Sequence, residues 1–380
     1  MERKVLFTAS TYSHILQFHL PYLREFQRMG WRVDAACGGP SAEISWADRV
    51  IPLPFEKRMA AAGNLAALRR LRREISREKY DLVICHTSLA SFFTRMAVRG
   101  LHPRPAVVCM VHGYLFDDGT SARRRALLSG AEQLTAPVTD LLLTMNSWDL
   151  QYARAHHLGK TVAFVPGIGV EFDRLDRADP SVREELRRAY GIGPEDFLLI
   201  YAAEFSPRKN QAVLLHALAR LPRQVKLLLP GQGALRENCV SLAGELGLSE
   251  RAIFPGQIAE IAPWYFAADG AVSASRSEGL PFNIMEAMYR ELPVVASAVK
   301  GHEDLLVHGE TGLLYPYGDV EACAECVRSI LEDPQRARRL GAAASLSARR
   351  YSLDRVLPEV MTQYGRLVPL GESWNAPVPV

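Results

Sequence analysis

Apolar residues recur along the chain in short runs separated by longer stretches of helical period. Residues 4–9 (KVLFTA) and 32–36 (RVDAA) are such runs, and they flank a segment, 19–29, with helical spacing. Residues 81–85, 106–111, 140–144 and 161–165 repeat the theme, with helical stretches such as 65–79 and 122–134 between them. Apolar strands alternating with amphipathic helices predict a parallel, doubly wound sheet. The pattern breaks at Pro166-Gly167-Ile168-Gly169 and at the polar stretch 171–180 (EFDRLDRADP). A second series starts at 197–203 and continues through 225–229, 252–254, 269–273 and 293–297, and three helical segments (319–331, 335–348, 353–367) follow. The expected class is therefore α/β, with two Rossmann-like domains at 1–168 and 181–350 facing across a cleft. A linker at 169–180 joins them. A C-terminal helix and tail, 351–380, is left free to pack back on the first domain, and 372–380 is expected to fray.

Composition adds an asymmetry. Residues 1–170 hold 22 Lys/Arg against 14 Asp/Glu, whereas residues 171–380 hold 23 against 28. A basic half joined to an acidic half points to an anionic surface as a partner. Arginines 69, 70, 72, 73 and 77 lie on a helix with Leu65, Leu68, Leu71 and Ile75 on one face, and Arg123-Arg124-Arg125 forms a second cluster. That helix either lies on an anionic membrane or packs its apolar side on the core with a solvated basic face. Without aromatic interleaving the arginines do not suggest nucleic acid. No apolar run is long enough to cross a bilayer, and the N-terminus lacks the apolar core of a signal peptide. Six scattered cysteines fit a reducing compartment. The expected location is cytoplasmic, with peripheral contact at the inner face of the membrane.

Chemistry concentrates at 273–290, SASRSEGLPFNIMEAMYR. Glu278 sits on a turn after a short strand, Pro281 suits the first turn of the next helix, and Glu286 lies about one turn inside it. In open α/β sheets ligands bind at that edge, and a helix start attracts anions. Carboxylates on both sides of an anion site suit a ligand with hydroxyls and phosphates. At 202–210 (AAEFSPRKN) the expected helix start has Ser206 as cap and Pro207 in the first turn. Arg208 and Lys209 would then meet the positive end of the helix dipole, which is unfavourable unless an anion fills the site. Pro230-Gly231-Gln232-Gly233 is not a dinucleotide fingerprint and is explained as a tight turn. His112, before Gly113 and Tyr114, ends a first-domain strand and is placed to donate a hydrogen bond or act as base. Ser10 to His19 follows the first strand. Its polar residues could read an acceptor or cap the next helix. Cys323 and Cys326 lack further ligands and are read as small buried residues. With no DxD element where a metal–diphosphate bridge would stand, no essential metal is expected.

Taken together, EGLPFNIME, AAEFSPRKN, GQGALREN and PVVASAVKGHEDLLVHGETGLLYPYGD resemble the donor domain of retaining glycosyltransferases of family 4, which have the GT-B fold. LFTASTYSHILQFHLPYLREFQRMGWRV, ICHTSLASFFTRMA and VHGYLFDDGT resemble the first domain of bacterial exopolysaccharide and capsular sugar transferases. The resemblance implies that Arg208 and Lys209 hold the donor pyrophosphate, that Glu286 accepts from the ribose and that Glu278 faces the transferred sugar. It implies further that Gly279, Leu280, Pro281 and Phe282 line the sugar and phosphates, and that Gly231 belongs to the same site. Ile258, with Gly256 and Gln257, would flank the base, and His112 would touch the sugar near the reacting carbon. The acceptor-side candidates are Ser10, His14, Gly113 and Tyr114, and here the chain departs from the family, with Thr11-Tyr12-Ser13-His14 in place of its Gly-Gly loop. The implied activity is metal-independent hexosyl transfer with retention. The donor would be a nucleotide sugar, UDP-linked, with no further cofactor, and the acceptor a glycan or polyprenyl-diphosphate-linked sugar. Two rivals are a UDP-N-acetylglucosamine 2-epimerase-like isomerase and a non-catalytic partner that binds nucleotide sugar or membrane.

Overall fold

A computed structural model describes residues 2–371 apart from 41, 178 and 180, so the tail at 372–380 lies outside the described residues. The chain forms two compact units. One comprises Met1–Gly169 with the C-terminal segment from Asp354, and the other Val170–Leu353.

The first unit is built on seven parallel strands: β1 (Lys4–Ala9), β2 (Arg32–Cys37), β3 (Arg49–Pro52), β4 (Leu82–His86), β5 (Ala106–Val111), β6 (Leu141–Thr144) and β7 (Thr161–Phe164). Their order is β3-β2-β1-β4-β5-β6-β7. The strand order reverses between β1 and β4, which are paired from Val5 with Leu82 to Thr8 with Cys85. Leu6, Val83, Cys85, Val107, Leu142 and the helix residues Ala67, Leu71 and Ile75 form one buried core. The C-terminal segment is held by the same unit: Trp31 Nε1 donates to Leu370 O at 2.9 Å, and the Tyr364 ring stacks beside Phe26.

The second unit carries β8 (Phe197–Ile200), β9 (Val225–Pro230), β10 (Ala252–Gly256), β11 (Gly270–Ser273), β12 (Val294–Ser297) and β13 (Leu313–Tyr315). All pairs are parallel, in the order β10-β9-β8-β11-β12-β13, and the reversal lies between β8 and β11. Its core joins Leu199, Tyr201, Leu227, Val272, Val295, Leu313, Cys323 and Val327. Cys323 is thus packing, as its Ala-rich surroundings suggest.

Several local expectations are corrected. Within STYSHILQFH the Thr11 side chain caps a helix, Tyr12–Phe18, that comes ahead of the one expected at 19–29, which spans Leu20–Arg28. Strands β3 and β13 were not anticipated, since each is short and carries little periodicity. The polar stretch 171–180 contains a short helix, Asp173–Asp176. The helix after β8 begins at Gln211, with Asn210 as its cap in a left-handed conformation (φ 51°), so Ser206 and Pro207 lie in a turn ahead of it. Pro281 occupies the cap of helix Phe282–Tyr289 rather than its first turn. On helix Ala62–Glu78 the core face is Asn64, Ala67, Leu71, Glu74 and Ile75, and Leu65 is 46% exposed.

Candidate functional site

The loops after β8, β9, β10 and β11 leave the same edge of the second sheet, at its reversal point, where open α/β sheets bind ligands. The first loop is drawn against the fourth. Arg276 N donates to Arg208 O at 2.8 Å, Arg208 Nη1 donates to Ser277 O, and the Tyr201 hydroxyl spans Lys209 O and Ser275 Oγ. This zipper brings Arg208 and Lys209 onto Glu278. Arg208 Nη1 lies 2.6 Å from Glu278 Oε2 and Lys209 Nζ 2.5 Å from Oε1. Glu278 is 7% exposed. Burial raises its pKa, but Lys209, Arg208 and His302 together outweigh burial and hold the carboxyl at about 2. The charge penalty expected of two cations at a helix start is therefore met by a carboxylate of the chain itself, in a turn that precedes the helix.

The loop from β9 is pressed onto this arrangement. Phe205 N donates to Gln232 O, and Leu235 N donates to Phe205 O. A Cβ at Gly233 (φ 151°) would lie 2.3 Å from Phe205 O, and one at Gly231 (φ 147°) would lie 2.1 Å from Ala203 O. The two glycines let backbone meet backbone beneath the basic loop. Gly301 (φ 83°) does the same beside Glu278, where a Cβ would stand 2.8 Å from Gly279 O. His302 is buried, with Nδ1 donating to Ser297 O at 2.8 Å and Nε2 accepting from Ser273 Oγ at 3.1 Å.

Glu286 is also buried, but its partners are others. It is ion-paired with Arg174 and accepts from the Tyr265 hydroxyl at 2.9 Å. Burial raises its pKa against the lowering effect of Arg174 and Tyr265. Arg174 and Tyr265 were not singled out in the sequence: one lies in the presumed linker and the other in the short helix Ala262–Ala267, and no spacing rule ties either to Glu286. Gly279, Leu280 and Pro281 are buried on the approach to the helix, and Phe282 opens it. Gly256 ends β10 and accepts from Gly231 N through its carbonyl, followed by exposed Gln257 and half-buried Ile258.

In the first unit the loops at the β1/β4 reversal gather histidines. His14 Nε2 lies 3.4 Å from His112 Nε2, and His86 Nδ1 lies 3.3 Å from the same atom. His19 stacks on His86 with ring centroids 3.7 Å apart. Burial lowers the pKa of all four, that of His14 to about 4. His86 and His19 were missed as members of this group, because the four lie up to 98 positions apart along the chain. Ser10 is engaged within the fold through Thr87 Oγ1 at 2.6 Å. Gly113 has a positive φ of 110°. Tyr114 is 5% exposed and stacks on Phe116 within the core.

Two parallel Rossmann-like units of seven and six strands make the GT-B fold. The chain superposes on Anabaena HepE in complex with UDP and glucose with a TM-score of 0.79 at 20% identity, covering 96% of this chain and 100% of that one. It also superposes on sucrose-phosphate synthase from Thermosynechococcus elongatus with a TM-score of 0.82 at 22% identity, covering 96% and 99%. Residues 22–167 match the family described as Glycosyltransferase Family 4, and residues 182–346 that described as Glycosyl transferases group 1. In sequence the chain is 32% identical to the glycosyltransferase EpsD of Bacillus subtilis (strain 168) over 96% of its own length and 97% of that protein's. The D-inositol 3-phosphate glycosyltransferase of Mycobacterium sp. (strain KMS) is 29% identical over 78% of this chain and 70% of its own. The chain belongs to glycosyltransferase family 4.

Proposed function

We propose that this glycosyltransferase moves a hexose or N-acetylhexosamine, with retention, from a UDP-sugar to a glycan or polyprenyl-diphosphate-linked acceptor in surface polysaccharide synthesis. The observation that carries the reading is the Arg208–Glu278–Lys209 arrangement at the sheet edge between β8 and β11. A diphosphate arriving there meets two cations already fixed in position by one carboxylate. Such preorganised charge favours the transition state in which the departing diphosphate gains charge. Glu286, oriented by Arg174 and Tyr265, retains lone pairs for ribose hydroxyls. The backbone N–H groups of Gly279, Leu280 and Phe282 stand at a helix start, where phosphate is favoured. Ile258, Gly256 and Gln257 flank the base, and Gly231 lines the phosphate side.

In the proposed reaction the acceptor oxygen bonds to the anomeric carbon on the face where the carbon–phosphate oxygen bond breaks. The leaving phosphate keeps that bond's electrons and takes the acceptor's proton. No metal takes part. His112 is carried over as a contact of the transferred sugar, and Ser10, His14, Gly113 and Tyr114 as acceptor-side positions. UDP as donor nucleotide is supported by HepE, solved with UDP and with UDP-glucose, and the polysaccharide setting by EpsD.

Lys209→Ala tests the reading. Removing one preorganised charge donor costs about 10²–10³ in turnover, and circular dichroism should show the fold unchanged. Wild-type turnover in that variant overturns the proposal. Incubation with UDP-sugar alone should yield no epimer. A panel of UDP- and GDP-sugars, followed by nucleotide release, identifies the donor.

A further inference from the structure

We propose that His14, His86 and His112, with His19 as the fourth donor within reach, form a binding site for a divalent transition ion, zinc in the first instance. One nitrogen from each of the four rings lies within 4.8 Å of one from every other. His112 Nε2 is the shared vertex, 3.4 Å from His14 Nε2 and 3.3 Å from His86 Nδ1. Hydrogen bonding alone explains this poorly. A neutral imidazole nitrogen carries either one proton or one lone pair, so His112 Nε2 cannot serve both neighbours at once. Both separations also exceed the usual range for such bonds, about 2.7–3.2 Å. An ion uses all the lone pairs together. With Zn–N bonds of about 2.0–2.1 Å in tetrahedral geometry, adjacent nitrogens stand about 3.3–3.4 Å apart, the separations of His14 and His86 from His112.

Two further observations point to a ligand. His19 is 1% exposed, and its Nε2 has no hydrogen-bond partner among the described residues. Buried polar atoms are almost always paired, so an orphan in this cluster calls for an explanation. The donors are all imidazole, a set that suits zinc, copper or nickel and not magnesium or calcium, which take oxygen. The place is also apt. His14 lies on the helix Tyr12–Phe18, His19 caps its end, His86 closes β4 and His112 follows β5, so an ion would tie that helix to the edge of the sheet at its reversal point. The site shares His14 and His112 with the proposed transfer site, and metal binding, measured directly, tests it apart from the transfer reaction.

The test uses untagged full-length protein stripped with a chelator. Titration with Zn²⁺ by calorimetry should show one tight site, Co²⁺ should give the visible bands of tetrahedral cobalt at one equivalent, and the melting temperature should rise with Zn²⁺. Mg²⁺ should do none of this. His14→Gln and His112→Gln, at half-buried rings, should each weaken Zn²⁺ binding by at least about 10–100-fold, the loss known even for outer-shell partners. His156→Gln/His157→Gln, an exposed pair outside the cluster, should leave it unchanged. Absence of tight Zn²⁺ binding, equal binding in the His14 and His112 variants when both melt cooperatively, or loss on replacing His156 and His157 overturns the proposal.

Discussion

Glu278 shows how one side chain can be both a structural ion and a site residue. It is buried, ionised and held by Lys209 and Arg208, two cations supplied by a loop that lies 69 and 70 positions earlier. Its folded pKa is depressed from an ordinary value of 4.5 to about 2. The ionised form therefore stabilises the fold fully above pH 4.5, and that contribution is lost as pH falls toward about 2. Urea midpoints measured across this window should fall more steeply in the wild type than in Glu278→Gln. The same substitution at neutral pH leaves the two cations without their carboxylate and should cost about 3 kcal/mol, the lower end for breaking a buried pair. Parallel pH profiles would show that Glu278 is not the ionised partner. Glu286 is the contrasting case, since burial raises it and Arg174 and Tyr265 orient it. Arg174→Ala should weaken UDP binding by about 10-fold, the equivalent of one charge-assisted hydrogen bond, as read by calorimetry, and should also lower the urea midpoint, because the buried Glu286 carboxyl loses its cation. The glutamates and cations stood out in the sequence by residue type and position after apolar runs. Arg174 and Tyr265 did not, because nothing along the chain relates them to Glu286.

At the scale of elements, the turns decide more than the helices. The expected helix over Ser206 and Pro207 fails because Asn210 turns the chain with a positive φ, and this exposes Arg208 and Lys209 to Glu278 instead of burying them in a helical turn. The Gly-x-Gly after β9 serves a backbone contact. Gly233→Ala would place a methyl 2.3 Å from the Phe205 carbonyl at a φ of 151°, which side chains rarely adopt. Strain of that kind costs about 1–3 kcal/mol before the clash is counted. The variant should unfold at lower urea and also bind UDP more weakly, because the displaced loop is the one that leads to Arg208 and Lys209. Full UDP affinity in Gly233→Ala would disconnect the turn from the site. Helix Ala62–Glu78 divides its two faces between core and solvent. Its apolar residues Ala67, Leu71 and Ile75 are core, while Arg69, Arg70 and Arg73 are exposed and Arg72 donates to Ala97 O and Arg99 O.

For the whole molecule, no described helix is long and apolar enough to cross a membrane. The excess of cations in residues 1–170 remains, and we propose that it favours an anionic lipid surface. Flotation with anionic liposomes should succeed at low salt, fall as salt shortens the screening length, and weaken when Arg69, Arg70 and Arg73 become Gln. Binding indifferent to both changes would remove the membrane from the reading. Transfer should proceed in excess chelator, since the proposed donor site holds its diphosphate with side-chain cations. A strict need for a divalent ion would overturn that part. The alternation of apolar runs and helical stretches was enough for two doubly wound sheets, because strands buried on both faces must be apolar and the helices covering them must be amphipathic. The motif glutamates and the Arg-Lys pair were legible for a similar reason: charge next to a strand end is conspicuous. What the linear chain could not contain was pairing across distance. The clamp on Glu278, the partners of Glu286 and the meeting of four histidines each depend on which loops leave the same sheet edge. That is set by strand order, and strand order exists only once the sheets have formed.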